Sequence, residues 1–322
     1  MQGLVTVFGG SGFIGRYVVR ALAAKGWRVR VATRRPFRTP ELMVMGAVGQ
    51  IELVQANVRM SASVARALDG AEACVNLVGA LYEQGPQRFQ SLHSMAAGTV
   101  AKAAAARGIG KLVHISAIGA DEESAAKYAR TKAMGEAAVL GAVPTATVLR
   151  PSIVFGPEDH FFNRFGAMAG LSPVLPLIGG GETLFQPVYA GDVGAAVASA
   201  LDDNTARGKT FELGGPGVYS FKALMEMVVK ETGRGNLLLP LPFPVASLIG
   251  ALGDLVAMTP FAPPLTRDQV ELLKTDNVAD PKAPGLAELG VSSPTAVEAM
   301  IPTYLWRFRK GGQFAQPEAA RA

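Results

Sequence analysis

Through the first half of the chain the apolar positions fall into two alternating rhythms. Residues 4–8, 28–33, 51–55, 73–78, 111–115 and 145–149 form short apolar-rich runs with many Val, Ile and Leu residues. Between them, residues 15–25, 61–68, 90–106 and 125–140 repeat apolar residues at helical spacing. The short runs predict strands and the longer periodic stretches predict helices. Strict alternation of the two predicts a parallel sheet with helices on both faces. Right-handed crossovers then give a doubly wound α/β fold, whose ligand lies beyond the carboxyl ends of the strands.

After Arg150 the pattern changes. Pro151, Pro157, Pro173, Pro176, Gly179 to Gly181 and Pro187 break the chain into loops and short elements. Residues 192–201 predict a helix, and 210–213 a strand able to rejoin the main sheet. From Phe221 onward, helices alternate with proline-rich turns. The expected division is a first domain over residues 1–150, to which 186–214 return. Residues 151–185 and 215–310 form a smaller C-terminal α/β lobe, and 311–322 a frayed tail. In the lobe, Val245, Leu248, Ile249, Leu252, Leu255 and Val256 share one helical face. Ala246, Ser247, Gly250, Ala251 and Asp254 occupy the other, so the helix is nearly without charge. Such a helix is expected to be buried, in its own lobe first and against a partner or a bilayer surface otherwise.

Composition narrows the classes. Hydrophobic residues make up 49% of the 322 and charged residues 18%, enough to build a large interior. Lys and Arg outnumber Asp and Glu by 31 to 26, a mild excess that suits an anionic ligand, an acidic partner or a phospholipid surface. No arginine-rich arm or aromatic–basic repeat is present, so nucleic acid is not an expected partner. Cys74 is the only cysteine, and His93, His114 and His160 lack metal-ligand spacing; no metal is expected. Because the strand pattern begins at Leu4, no leader peptide is expected. The apolar stretch 243–253 is well short of the ~20 residues of a membrane span.

The most specific chemical signal follows the first strand. Gly9-Gly10-Ser11-Gly12-Phe13-Ile14-Gly15 opens the first helix directly. Gly9 permits the tight turn, Gly12 lets backbone approach a pyrophosphate, and Gly15 lets helix and strand pack closely. The phosphates would meet free N–H groups at the positive end of the helix. This is a Rossmann-type dinucleotide loop. The second strand ends in Thr33-Arg34-Arg35, where an NAD site usually places Asp or Glu to hold the ribose hydroxyls. Two guanidinium groups there suit a ribose 2′-phosphate, which favours NADP(H) over NAD(H). Asn57, just past the third strand, is a candidate adenine contact, and Asn76 on the fourth strand a candidate polar neighbour of the cofactor.

Several segments carry a resemblance. The glycine loop, the spacing Tyr128-Ala129-Arg130-Thr131-Lys132 and the run from Arg150 to Gly156 resemble the extended and atypical short-chain dehydrogenase/reductase superfamily. At closer range, residues 127–136, 149–165 and 186–193 are similar to the dehydrogenase-like accessory subunit of respiratory complex I, the NADH:ubiquinone oxidoreductase. This resemblance implies a tightly held, structural NADPH. It implies a place on the peripheral arm near the membrane arm, among the other subunits around the quinone site. With no transit peptide expected, a bacterial form is the easier reading, peripheral on the cytoplasmic face of the inner membrane. The nucleotide-binding set then comprises Gly9, Gly10, Ser11, Gly12, Phe13, Ile14, Gly15, Arg34, Arg35, Asn57, Val78, Ser116, Tyr128, Lys132 and Pro151.

Catalysis is the open question. Tyr128 and Lys132, four apart on a helix, match the superfamily's proton-transfer pair. The serine that should orient a substrate carbonyl is missing, because Ser116-Ala117-Ile118-Gly119 places Ala and Ile where it belongs. One residue's shift along a strand turns a side chain to the other face, and two move it ~6–7 Å. The expected reading is a pair that holds ribose and nicotinamide without turnover. The alternative is a free-standing NADPH-dependent reductase or epimerase using Ser116 or Thr131. Glu158, Asp159 and His160, with Arg164 nearby, are read as a structural ion-pair knot or docking surface, and Gly179 to Gly181 as a flexible turn. Tyr304 to Lys310, aromatics among basic residues, are read as a lipid or acidic-partner contact or a solvated helix end.

Overall fold

A computed structural model describes residues 3–259 and 261–314. The chain runs β1 (Leu4–Phe8), α1 (Phe13–Ala24), β2 (Arg28–Thr33), β3 (Ile51–Gln55), α2 (Ser61–Ala67), β4 (Ala73–Asn76), α3 (Ala96–Ala105), β5 (Lys111–Ile115), α4 (Lys127–Ala142) and β6 (Thr147–Pro151). It continues through β7 (Val154–Phe155), α5 (Phe162–Leu171), β8 (Val174–Ile178), β9 (Leu184–Phe185), β10 (Val188–Tyr189), α6 (Ala190–Asp202) and β11 (Thr210–Leu213). The remainder is β12 (Tyr219–Ser220), α7 (Phe221–Thr232), β13 (Leu237–Leu241), α8 (Phe243–Val256), α9 (Arg267–Leu272), α10 (Val297–Met300) and α11 (Pro302–Leu305).

Seven strands form one sheet in the order β11-β6-β5-β4-β1-β2-β3, and every pairing in it is parallel. The strand order reverses between β1 and β4, the switch point at which such sheets hold ligands. Strand periodicity assigns the two faces. Val5, Val7, Val75, Val113 and Ile115 point toward α1 and α6, in one core with Val18, Val19 and Val193. Phe8, Cys74 and Leu112 point the other way, into a core with Val64, Val100 and Val139 of α2, α3 and α4. A third core, with Phe155, Phe162, Phe221, Leu224 and Tyr304, fills the smaller lobe.

Several boundaries shift by one or two residues from the sequence pattern, and three of the differences have a local reason or a distinct form. The strand read as 73–78 stops at Asn76, whose Oδ1 accepts the Val78 N–H at 3.2 Å and so turns the chain out of the ladder. The helix read as 90–106 opens with π-helical residues Gln90–Met95 before α3. The last strand of the first half is Thr147–Pro151 rather than 145–149, and Thr145 instead bonds Gly110 O.

Helix α8 corrects an expectation. Its small face is the buried one: Ala246, Gly250 and Gly253 lie inward, while Val245 (47%), Leu248 (66%), Leu252 (61%) and Leu255 (60%) stay exposed. Glycine makes this orientation possible, because a Cβ at Gly253 would sit 1.7 Å from Leu265 O and one at Gly250 2.8 Å from Arg267 N. The backbone after α8 therefore presses on the small face, and the bulky face is turned out. Among the described residues no helix is long and apolar enough to cross a membrane.

The C-terminal segment, read as a lipid or acidic-partner contact or a solvated helix end, is partly drawn into the lobe. Tyr304 is buried, and its hydroxyl donates to Asp159 Oδ2 at 2.7 Å. Arg307 donates to Pro157 O and Asn163 Oδ1, and Arg309 to Glu231. The segment is thus tied to the lobe through Tyr304 and Arg309, while Arg307 and Lys310 stay exposed. Asp159 is satisfied by Tyr304 and by the N–H groups of Gly156 and Asn163, whereas Arg164 bonds Pro263 O, so the expected ion-pair knot with Arg164 does not form. Gly179, Gly180 and Gly181 make a turn with positive φ at all three positions. Of the predicted frayed tail, Gly312–Phe314 form a short 3-10 turn, and 315–322 lie outside the described residues.

Candidate functional site: a dinucleotide cleft at the strand ends

The glycine loop bridges β1 and α1 at the switch point. Gly9 takes φ +82°, closed to side chains by nearby Leu77 and Val78 backbone. A Cβ at Gly15 would lie 2.3 Å from Gly9 O, so only glycine lets α1 begin this close to the strand. Gly12 is exposed and caps α1 without a side-chain hydrogen bond, and the first turn holds no acidic residue. The amides opening α1 at Phe13 and Ile14 thus have no intrahelical acceptor. Ser11 Oγ meets Thr33 Oγ1 at 3.1 Å, tying the loop to the end of β2. The arrangement fits a pyrophosphate.

Beyond β2 the site widens into a cavity of about 330 Å³ lined by Arg34, Asn57 and Arg66 among others. Arg34 donates to the side-chain oxygen of Gln87. Arg35 is exposed, and its side chain has no hydrogen-bond partner among the described residues. Asn57 accepts from Arg59 N with its Oδ1, and its own N–H donates to Ser63 Oγ.

At the opposite end of the cleft, α4 brings Tyr128 and Lys132 under the turn that holds Val78. Pro151, at the end of β6, is buried. Lys132 Nζ donates to Ile115 O at 3.1 Å, and a Cβ on Gly79 would lie 3.5 Å from it. Burial pushes the Lys132 ammonium down to about 8, partly opposed by Glu136. Tyr128 packs edge-on against Phe89 and His93, and Lys132 Nζ sits 5.8 Å from its ring centroid. Burial, reinforced by the Asp268 carboxylate, pushes the Tyr128 phenol up to about 12. Proton transfer near neutrality needs the opposite shift.

Neither hydroxyl offered in place of the missing serine is hydrogen-bonded to the Tyr128 hydroxyl among the described residues. Ser116 is 2% exposed, and its Oγ is buried without a partner. Thr131 is already committed in a chain whose polarity is readable. Ala80 N–H donates to His93 Nε2 at 3.0 Å, so the ring carries its proton on Nδ1. Nδ1 donates to Thr131 Oγ1 at 3.1 Å, and Thr131 donates to Tyr128 O at 3.0 Å. Burial and the neighbouring Lys132 hold His93 neutral, down to about 2. Asn76 likewise fixes its neighbour: its Nδ2 donates to His114 Nδ1 at 3.2 Å, leaving the protonated Nε2 buried without a partner.

Sequence reasoning missed Arg66, Gln87, His93 and Asp268. Thr266-x-x-Gln269 does carry a capping-box signature, and the structure forms it. Nothing in the sequence links the neighbouring Asp268 to α4. Among the described residues no cluster of His, Cys, Asp and Glu could hold a metal ion.

Fold and site together define a Rossmann-type nucleotide-binding protein of the extended short-chain dehydrogenase class. Residues 5–214 match the NAD dependent epimerase/dehydratase family. The mitochondrial NADH dehydrogenase (ubiquinone) 1 alpha subcomplex subunit 9 of Arabidopsis thaliana is 36% identical over 321 residues, covering 97% of this chain and 80% of that protein. The mitochondrial NADH-ubiquinone oxidoreductase 40 kDa subunit of Neurospora crassa is 30% identical over 315 residues, covering 98% and 82%. Among solved structures, triphenylmethane reductase of Citrobacter sp. superposes with a TM-score of 0.74 at 18% identity, covering 94% of this chain and 99% of that one, which shows a shared fold. The chain belongs to the NAD dependent epimerase/dehydratase family, in the branch of these complex I subunits.

Proposed function

We propose that this chain is a non-catalytic accessory subunit of respiratory complex I that holds NADPH as a structural cofactor. It supports assembly near the junction of the peripheral and membrane arms, peripherally on the cytoplasmic face of a bacterial inner membrane. The observation that carries the non-catalytic reading is the state of Tyr128. A phenol pushed up to about 12, with no serine hydrogen-bonded to it and Lys132 bonded to Ile115 O, can bind a ribose but is poorly placed to exchange protons with a substrate. The subunit reading rests on the relatives' assembly into complex I and on their similarity along nearly the whole chain.

NADPH in place of NADH is supported by Arg34 at the end of β2, where no carboxylate stands to take the ribose hydroxyls. Docking onto other subunits is supported by α8, which presents Leu248, Leu252 and Leu255 to the outside. Native purification tests the proposal. Co-migration with the iron–sulfur subunits, with one NADPH per chain that no carbonyl panel oxidises, is the expected outcome. A protein that purifies alone and turns over a carbonyl substrate through Tyr128 would point to the free-standing reductase instead.

A further inference from the structure

The cavity beyond β2 has an asymmetry that the glycine loop does not explain. Its wall includes Arg34 from the end of β2 and Arg66 from the last turn of α2, together with Gln55, Asn57, Met60 and Ser63. Two cations line it and no carboxylate does. Arg30 pairs with Glu52 at 2.5 Å and Arg107 with Asp69 at 2.8 Å, whereas Arg59 donates only to the neutral Pro86 O at 2.9 Å and the Arg35 side chain is unpaired but is not part of the cavity wall. The exposed Arg66 side chain has no hydrogen-bond or ion-pair partner among the described residues. Arg34 is oriented by the neutral amide of Gln87, which leaves its charge uncompensated.

Two unneutralised guanidinium groups on one small cavity favour a dianion, because charge-assisted hydrogen bonds are roughly twice as strong as neutral ones. The position of the cavity names the dianion. The Ser11–Thr33 contact joins the pyrophosphate loop to the end of β2, and the cavity lies directly beyond that end. An adenosine running outward from the pyrophosphate would bring its ribose there. We propose that Arg66 and Arg34 jointly hold the ribose 2′-phosphate, so that Arg66 is a second selectivity residue for the phosphorylated cofactor. This rests on the NADPH reading above. The competing role for Arg66 is a cation stabilising the end of α2, a region where its charge meets the helix dipole.

The experiment uses the full chain stripped of nucleotide and titrated with NADPH, NADH, 2′,5′-ADP and 5′-ADP. The variants are Arg66→Ala, Arg34→Ala and the double substitution. Arg66→Ala is expected to weaken NADPH and 2′,5′-ADP by about 10–100-fold, to leave NADH and 5′-ADP within about twofold, and to leave the melting temperature of the stripped protein unchanged. The double variant is expected to bind the phosphorylated and unphosphorylated ligands alike. If Arg66→Ala keeps the wild-type preference for 2′,5′-ADP, or weakens all four ligands equally, the shared clamp is wrong while the NADPH reading stands. If wild-type protein shows no preference for the 2′-phosphate, the NADPH reading itself fails.

Discussion

Asp268 of the smaller lobe accepts the backbone N–H of Tyr128 at 3.0 Å and that of Lys127 at 2.5 Å, capping α4 from another element 140 residues away in sequence. Helix α4 has no side-chain cap of its own, since its N-cap is Ala126. The lobe therefore supplies the cap, and with it the position of the Tyr128 ring.

Replacing Asp268 by Ala removes that cap. Loss of an N-cap costs about 1 kcal/mol, with a range of ~0.5–2. Denaturant melts should show a drop of this size, accompanied by weaker nucleotide binding as Tyr128 loses its anchor. Unchanged stability would mean that the contact is incidental.

Lys132 gives a pH signature. Its ammonium is lowered from 10.5 to about 8, so between those values the unfolded chain binds more protons than the folded one. Stability from this group therefore rises with pH across that window and is flat outside it. The buried ammonium's cost, about 3 kcal/mol at 1.36 per unit, is present below pH 8 and gone above about 10. Comparing wild type with Lys132→Met by urea denaturation at pH 8 and pH 10 isolates it. The wild type should gain on the variant as pH rises; a constant difference contradicts the assignment.

Arg150 grips Glu136 through Nε at 2.9 Å and Nη2 at 2.7 Å, with Glu212 at 3.5 Å, and so joins α4, β6 and β11. Glu136 is buried and Arg150 partly so, which places the pair between interior and surface cases. Glu136→Ala should cost about 2–4 kcal/mol, discounted for the exposed edge of the guanidinium. Equilibrium unfolding reads this directly.

The outward face of α8 makes a separable prediction. Leu248→Asp with Leu252→Asp should leave folding and nucleotide affinity unchanged, because both side chains are mostly exposed, yet abolish incorporation into the complex on native gels. Gly253→Ala should instead destabilise the lobe, because the new methyl meets Leu265 O. Normal incorporation of the double aspartate variant would remove α8 from the docking surface.

Local signals made much of this molecule readable in the sequence. The step from β1 through the glycine loop to α1 depends on residues adjacent in the chain, and so does the replacement of an acid by Arg34. The early end of β4 was hidden because it depends on the Asn76 side chain competing for the Val78 amide. The orientation of α8 was hidden for a different reason. Helical periodicity separates a bulky face from a small one, but which face meets the lobe is decided by the 265–267 backbone against Gly250 and Gly253. Relationships distant in sequence were invisible: Tyr304 with Asp159, Asp268 with Tyr128, and the shared place of Arg66 and Arg34 in one cavity wall.

The most direct test of a structural, unreactive cofactor is single-turnover spectroscopy on protein purified with its native nucleotide. One NADPH per chain, with nicotinamide absorbance that stays constant on mixing with carbonyl and quinone substrates, is the predicted result. Rapid oxidation that Tyr128→Phe abolishes, or protein that carries no nucleotide and takes none up, would contradict it.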